Sequence, residues 1–253
     1  MMLRLVACAL ALSGPVGPVL IARQESARFA DAGARELLHR SQAAVAHEGS
    51  PRDLRSFLFK GRVRVPQDDV ADSHEDGQVE IRILLPDRYL RIDTSGGSER
   101  RSGVAGRAPL PPGGPGTPGR TGSPGRPGSD VRLERARLMR ILLGAVAYGV
   151  VAPPLLFRST GETAFADTAA LDVSGPDLSA RLVFDAASNI PLRLVYVGDR
   201  GVSTVVSFAN RRRVSGLDLP FRITTQTPER VLETLLFDDI FVNPDLHDGD
   251  FRR

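Results

Sequence analysis

The chain has 253 residues, of which 42% are hydrophobic and 25% charged, and its formal net charge is +3. These proportions fit one large globular domain. Lys60 is the only lysine, and the arginines alternate with acids instead of forming a basic stripe, so nucleic acid is not an expected partner. The single cysteine, Cys8, excludes an internal disulfide and a multi-cysteine metal site.

The N-terminal segment has the pattern of an export signal. A basic start at residues 1–4 is followed by the apolar run 5–12 and then by Gly-Pro pairs. We interpret residues 1–22 as a cleaved signal peptide, which predicts a periplasmic or otherwise exported protein. Two alternatives stay open: an uncleaved membrane anchor, for which the Pro and Gly residues make a poor helix, and a lipoprotein modified at Cys8.

The predicted elements begin with an amphipathic helix over residues 30–47, whose apolar positions recur at helical spacing. Three strands are predicted next, over 56–65, 78–85 and 89–94, because apolar and polar residues alternate in them. Such alternation is typical of an antiparallel sheet with one buried and one solvated face.

The first two strands also predict their register. Pairing Val63 with Val79 places Arg62 opposite Glu80, so the apolar face and the charged face agree in one alignment. A slip of one residue would exchange the two faces.

Residues 96–130 differ from the rest of the chain. Nine glycines and seven prolines lie between Arg101 and Asp130, without an aromatic residue. Such a composition buries too little apolar surface to offset the entropy of ordering, so we predict a disordered insertion. Closing a longer loop costs little more than closing a short one, and residues 30–253 therefore form one domain around this insertion.

A second helix is predicted over 130–152, ending at Pro153 and Pro154. Its start is charged, whereas residues 141–157 contain no charge, and the apolar helical part is too short to span a bilayer. This part must therefore pack against protein or a ligand. Six further strands, separated by turn clusters, are predicted over 169–173, 178–185, 192–197, 202–210, 219–225 and 231–242. The fold class is thus α+β, a curved antiparallel β-sheet covered by two helices.

The sequence contains no recognisable catalytic constellation, and we expect neither an enzyme, a metal site nor a cofactor. The four histidines are scattered, and the neighbouring Asp238 and Asp239 lie in a strand, so their carboxylates point to opposite faces. The run of arginines at 211–213 is interpreted as a solvated strand end.

The abundance of inward apolar residues has two interpretations. One is an ordinary core, with the second helix packed on the sheet. The other is a concave sheet that encloses a lipid-sized cavity beneath the uncharged half of that helix. The second interpretation predicts that the ligand-binding residues are Phe57, Phe59, Ile81, Ile83, Leu142 and Val146.

The order of these elements resembles the LolA/LolB/LppX superfamily of periplasmic lipoprotein and lipid carriers. The run GQVEIRILLPDRYLRI at 77–92 is similar to the family's paired strands around a proline turn, and 182–193, 208–220 and 241–251 are similar to its later hairpin, final strands and tail. The resemblance implies a half-open barrel whose concave face, covered by helices, receives acyl chains. In the lipoprotein carrier an arginine that helps latch the lid precedes the turn proline, and here that position is Leu85.

The expected function is a periplasmic binding or carrier protein for a lipid or an acylated protein. Its partners would be lipid or lipoprotein acyl chains and a membrane-associated protein. The alternative is a non-transporting sensor or interaction module of the same fold, with a filled core and a stable protein partner.

Overall fold

The computed structural model describes residues 28–46, 53–66, 74–106, 108–110, 127–148, 154–160, 167–198 and 201–251. The predicted signal peptide, with Cys8, and residues 111–126 of the predicted insertion lie outside these ranges. No helix in the described ranges has both the length and the hydropathy needed to cross a membrane.

Twelve strands in the described part of the chain form one antiparallel sheet. They are β1 (Ser56–Pro66), β2 (His74–Leu84), β3 (Arg88–Ser95), β4 (Ser98–Ala105), β5 (Ala108–Pro109), β6 (Leu156–Ser159), β7 (Thr168–Ser174), β8 (Ser179–Asp185), β9 (Pro191–Val197), β10 (Ser203–Val214), β11 (Leu217–Gln226) and β12 (Val231–Val242). The spatial order is β5-β4-β3-β2-β1-β12-β11-β10-β9-β8-β7-β6. Two meanders are thus joined by the pairing of β1 with β12, and the sheet stays open between β5 and β6.

In the part of the chain that the structure describes, two α-helices pack on this sheet. Helix α1 (Ala32–Val45) contacts β6 and β11, and helix α2 (Pro127–Val146) contacts β3, β4 and β5 on one half of the sheet and β9, β10 and β11 on the other. Because α2 touches strands of both meanders, the sheet curves around it. The predicted α+β class, a curved half-open barrel covered by two helices, is confirmed.

The predicted register of the first hairpin is wrong by two residues. Val63 pairs with Gly77, and Lys60, not Arg62, lies opposite Glu80. Lys60 Nζ is 3.6 Å from Glu80 Oε2. A shift of two residues keeps every side chain on its predicted face, so alternation alone does not distinguish the two registers.

The predicted insertion at 96–130 begins too early, because β4 and β5 occupy its first part. Strand β4 pairs with β3 along its whole length, from Arg88 opposite Ala105 to Ser95 opposite Ser98. The first five residues of β4, 98–102, are all polar, so no alternation of apolar and polar residues marks this strand. Strand β6, which pairs with β7, was also missed, since it has only four residues and begins inside the uncharged run 141–157.

The end of α2 is another correction. The helix ends at Val146, not at residue 152, and Ala147 has a left-handed backbone with φ 50°. A residue in this conformation stops an α-helix without a proline.

Candidate ligand-binding site

The six residues predicted to contact a ligand are all buried in the hydrophobic core: Phe57, Phe59, Ile81, Ile83, Leu142 and Val146. The Phe57 and Phe59 rings lie 5.8 Å apart, and Phe59 is 5.1 Å from the Phe237 ring. The uncharged half of α2 packs closely on the sheet at Gly144, where a Cβ atom would overlap the ring of Phe208. Side chains therefore fill the space where the cavity was predicted, and contact of these six with a ligand stays a prediction.

A cleft of about 580 Å³ lies instead beneath the charged half of α2. Leu133, Arg137, Arg140 and Ile141 form its helical wall. These positions are spaced i, i+4, i+7 and i+8 and therefore share one helix face. None of the six predicted residues lines this cleft.

The opposite wall comes from strand ends on the concave face of the sheet. Its apolar side chains are Val65, Val202, Val206, Ile223, Leu232 and Leu235, and Thr204 and Thr225 lie among them. Residues Ile223, Thr225 and Thr227 alternate along β11, so one face of that strand supplies three positions of the wall. Val65, Leu133 and Val202 are exposed, and so are Glu229 and Arg230, so the cleft is open to solvent through a rim of apolar and charged side chains.

An ion pair links the two halves of the sheet at the cleft. Nη2 of Arg91 on β3 donates to Oε2 of Glu233 on β12 at 2.9 Å, and Nε of Arg91 donates to Asp93 at 2.9 Å. Burial disfavours the charged form of Arg91, but the surrounding groups, Glu233 first and then Tyr89 and Asp93, together outweigh burial and raise the pKa of Arg91. Strands β1 and β2 separate β3 from β12. The pair therefore spans three strand spacings, about 14 Å in a flat sheet, and requires the curvature.

A second ion pair lies on α2. Nη1 of Arg137 is 2.6 Å from Oε1 of the buried Glu134, one turn earlier on the helix. Burial raises the pKa of Glu134, whereas Arg137 opposes this shift. Arg137 is thus a cleft cation whose charge is already matched by an acid.

Arg140 is in a different position. Its guanidinium carbon lies 4.4 Å from the centroid of the Tyr196 ring, a cation–π contact across the cleft from α2 to β9. Burial lowers the pKa of Arg140, partly opposed by Tyr196. Within the described ranges, no acid lies at salt-bridge distance from Arg140. Glu233, which acts on it over a longer distance, is paired with Arg91.

The interpretation of the arginines at 211–213 as a solvated strand end is wrong for Arg211, whereas Arg212 and Arg213 are exposed near the end of β10. Nη2 of Arg211 donates to the carbonyl oxygen of Ala145 at 2.8 Å and to that of Asp218 at 2.7 Å, and Nη1 donates to Gly144 O at 3.3 Å. Arg211 therefore caps the carboxyl end of α2. Asn210 precedes it with φ 52° and interrupts the alternation of β10, so Arg211 faces α2 as Phe208 does.

Sequence reasoning missed the cleft residues because it followed apolar content alone. A usable signal was present: Arg137 and Arg140 share a helix face with Leu133 and Ile141, which is unusual for a face packed against a sheet. In the described part of the chain, no group of three or more His, Cys, Asp or Glu side chains is placed to hold a metal ion.

No protein-family model matches the sequence, and no curated protein matches it either. Solved structures do. A LolA superfamily protein from Nitrosomonas europaea aligns with 87% of this chain and 97% of its own length, at 14% identity and a TM-score of 0.57. A domain named for outer membrane lipoprotein sorting, from Vibrio parahaemolyticus, aligns with 87% of this chain and 96% of its own, at 12% identity and a TM-score of 0.50. The chain therefore has a divergent form of the LolA-like fold.

Proposed function

We propose that this chain is an exported binding or carrier protein that holds the apolar part of a lipid or an acylated protein in the cleft between α2 and the concave face of the sheet. The observation that carries the proposal is the cleft itself, about 580 Å³ in volume and lined by six aliphatic side chains of the sheet. This volume is within the range of sites for small molecules. Burial of each methylene of an acyl chain contributes about 0.8 kcal/mol, so no elaborate set of polar contacts is needed.

Two further observations support the proposal. The N-terminal sequence has the pattern of an export signal, which would bring the chain to the compartment where such carriers act. One structure of similar fold is named for outer membrane lipoprotein sorting. Fold similarity alone does not establish a ligand, and the cleft is what makes the proposal testable.

The test is to fill the cleft from a position that tolerates a larger side chain. Thr225→Phe places a ring among Val206, Ile223 and Glu233, whereas Thr224→Phe makes the same change one residue earlier on β11, where the side chain points to the other face. We expect Thr225→Phe to weaken binding of a fluorescent fatty acid by tenfold or more and Thr224→Phe to leave it within twofold. Equal affinity for all three proteins, or no uptake by the unmodified chain, contradicts the proposal.

The second candidate is an interaction module of the same fold without a transported ligand. The solid packing at Gly144 and Phe208 favours it, since the apolar half of α2 leaves no space there for an acyl chain. This candidate predicts that the purified protein takes up no fatty acid in native mass spectrometry and that it retains a stable protein partner. Uptake that Thr225→Phe abolishes would exclude it.

A further inference from the structure

Arg140 is a partly buried cation, and no acid of the described residues lies at salt-bridge distance from it. It lines the cleft beside Ile141, and across from it lie Val206 and the Tyr196 ring. In the described ranges its guanidinium forms neither a salt bridge nor a hydrogen bond, although its five N–H groups are strong donors. Partial removal of a charge from water is unfavourable, so an anion that pairs with the guanidinium would offset this cost.

The neighbouring charges of the cleft do not supply that anion. Glu233 is held by Arg91 with two hydrogen bonds, at 2.9 and 3.3 Å, and Glu134 is held by Arg137. Both acids are thus neutralised by arginines other than Arg140. Glu229 also lines the cleft, but it is exposed and forms no salt bridge with Arg140 within the described ranges. Among the described residues, the cleft therefore combines an aliphatic wall with the guanidinium of Arg140, whose donors are available.

We infer that Arg140 binds the anionic group of an amphiphile whose chain occupies the cleft, so that the ligand is a single-chain carboxylate or phosphate monoester. This inference rests on the proposed function. A guanidinium matches both groups, because its planar N–H donors can bind two oxygens at once.

The experiment compares ligands with the same chain and different head groups. Binding of dodecanoate, dodecyl phosphate and the neutral dodecanol is measured by displacement of a fluorescent fatty alcohol. Each compound is kept below its micellar concentration or, for dodecanol, below its solubility limit. Inorganic phosphate tests for a free anion. We expect both anionic amphiphiles to bind the unmodified protein about tenfold more tightly than dodecanol, as for one charge-assisted contact, and inorganic phosphate not to compete.

The variant is Arg140→Gln, and its matched control is Arg132→Gln on the same helix. Arg132 is exposed, lies 3.9 Å from Asp177 and does not line the cleft. Arg140→Gln should reduce the anion preference from about tenfold to less than twofold while the affinity for dodecanol stays unchanged. Arg132→Gln should keep the full preference, and Arg140→Lys should keep part of it, since lysine retains the charge without the planar donors.

The outcomes separate the two proposals. If all three amphiphiles bind and Arg140→Gln retains the preference, the inference about Arg140 is overturned and the cleft remains a binding site. If no amphiphile binds the unmodified protein, the proposed function fails, and the inference fails with it. Displacement of the fluorescent probe by inorganic phosphate would show that the anion site needs no attached chain and would also overturn the inference.

Discussion

Three adjacent arginines on β10 have three different surroundings, although the sequence presents them as one charge run. Arg211 donates to backbone oxygens at the end of α2, Arg212 lies 4.4 Å over the Phe221 ring, and Arg213 is exposed. Burial lowers the pKa of Arg211, and Asp218 opposes that shift. The environment of each arginine is set by the fold, so residue type alone could not separate them.

Replacing Arg211 should therefore be costly. In Arg211→Met the carbonyl oxygens of Ala145 and Asp218 lose their donor, and the Asp218 carboxylate loses a cation 3.3 Å away. We expect the free energy of unfolding, measured by urea denaturation, to fall by about 3 kcal/mol. Arg213→Met is the control and should change it by less than about 0.5 kcal/mol, as exposed positions usually do. Equal effects of the two substitutions would refute the capping role of Arg211.

Among the elements, α2 contains a conflict between helix propensity and packing. Glycine in a helix interior costs about 1 kcal/mol relative to alanine, so propensity alone predicts that Gly144→Ala stabilises the protein. The structure predicts the opposite, because the added Cβ would overlap the Phe208 ring. We expect Gly144→Ala to lower the melting temperature and to cost about 2 kcal/mol.

A second variant tests the cause of that loss. Phe208→Leu replaces the ring that contacts Gly144 with a smaller side chain. The double variant, with Gly144→Ala and Phe208→Leu, should therefore lose about 1 kcal/mol less stability than the two single losses added together. Strict additivity would mean that the loss in Gly144→Ala does not arise from contact with Phe208.

Helix α1 is attached to the edge strand β6 through one carboxylate. Asp31 accepts hydrogen bonds from the hydroxyl and amide of Ser159 and from the amide of Ala34, and these contacts lower its pKa below the ordinary 3.8. Because its pKa is lower in the folded state, the ionised Asp31 carboxylate contributes its full stabilisation above about pH 4. This contribution is lost as the pH falls through the lowered pKa.

The comparison that checks this is Asp31→Asn. Thermal denaturation is measured for this variant and the unmodified chain at matched ionic strength. The variant should be less stable at pH 7, and the difference between the two proteins should shrink below pH 4. Asp53→Asn changes an exposed carboxylate near the start of β1 and should show no such trend. A difference that is constant from pH 7 to pH 3 would rule out a role for the charge of Asp31.

Much of the sheet could be predicted from alternation, because a strand with one buried face repeats every two residues. The limits have physical causes. Alternation cannot distinguish two registers that differ by two residues, which explains the error in pairing Val63 with Val79. Strand β4 was missed because it lies in a glycine-rich segment, and its hydrogen bonds come from pairing with β3. The cleft could not be predicted from apolar content, since the most apolar half of α2 packs against Phe208 at Gly144.

For the whole molecule, the curvature depends on contacts that cross several strands. Arg91 and Glu233 connect β3 with β12 over the two strands between them, at the cleft. Glu233→Gln should weaken this link and leave the charge of the buried Arg91 only partly compensated. We expect a loss of about 2 kcal/mol in the free energy of unfolding and faster amide hydrogen exchange in β3 and β12. Glu229→Gln, at the rim of the same cleft, should leave exchange in these strands unchanged.

The opening of the cleft to solvent has a kinetic consequence. Since Val65, Leu133 and Val202 already reach solvent, a molecule can enter without separating α2 from Phe208 or breaking the bonds of Arg211. Association in stopped-flow experiments should then rise linearly with ligand concentration and show no plateau from a slow opening step. Under the proposed function, the rate of ligand exchange would depend on the rates of encounter and release alone.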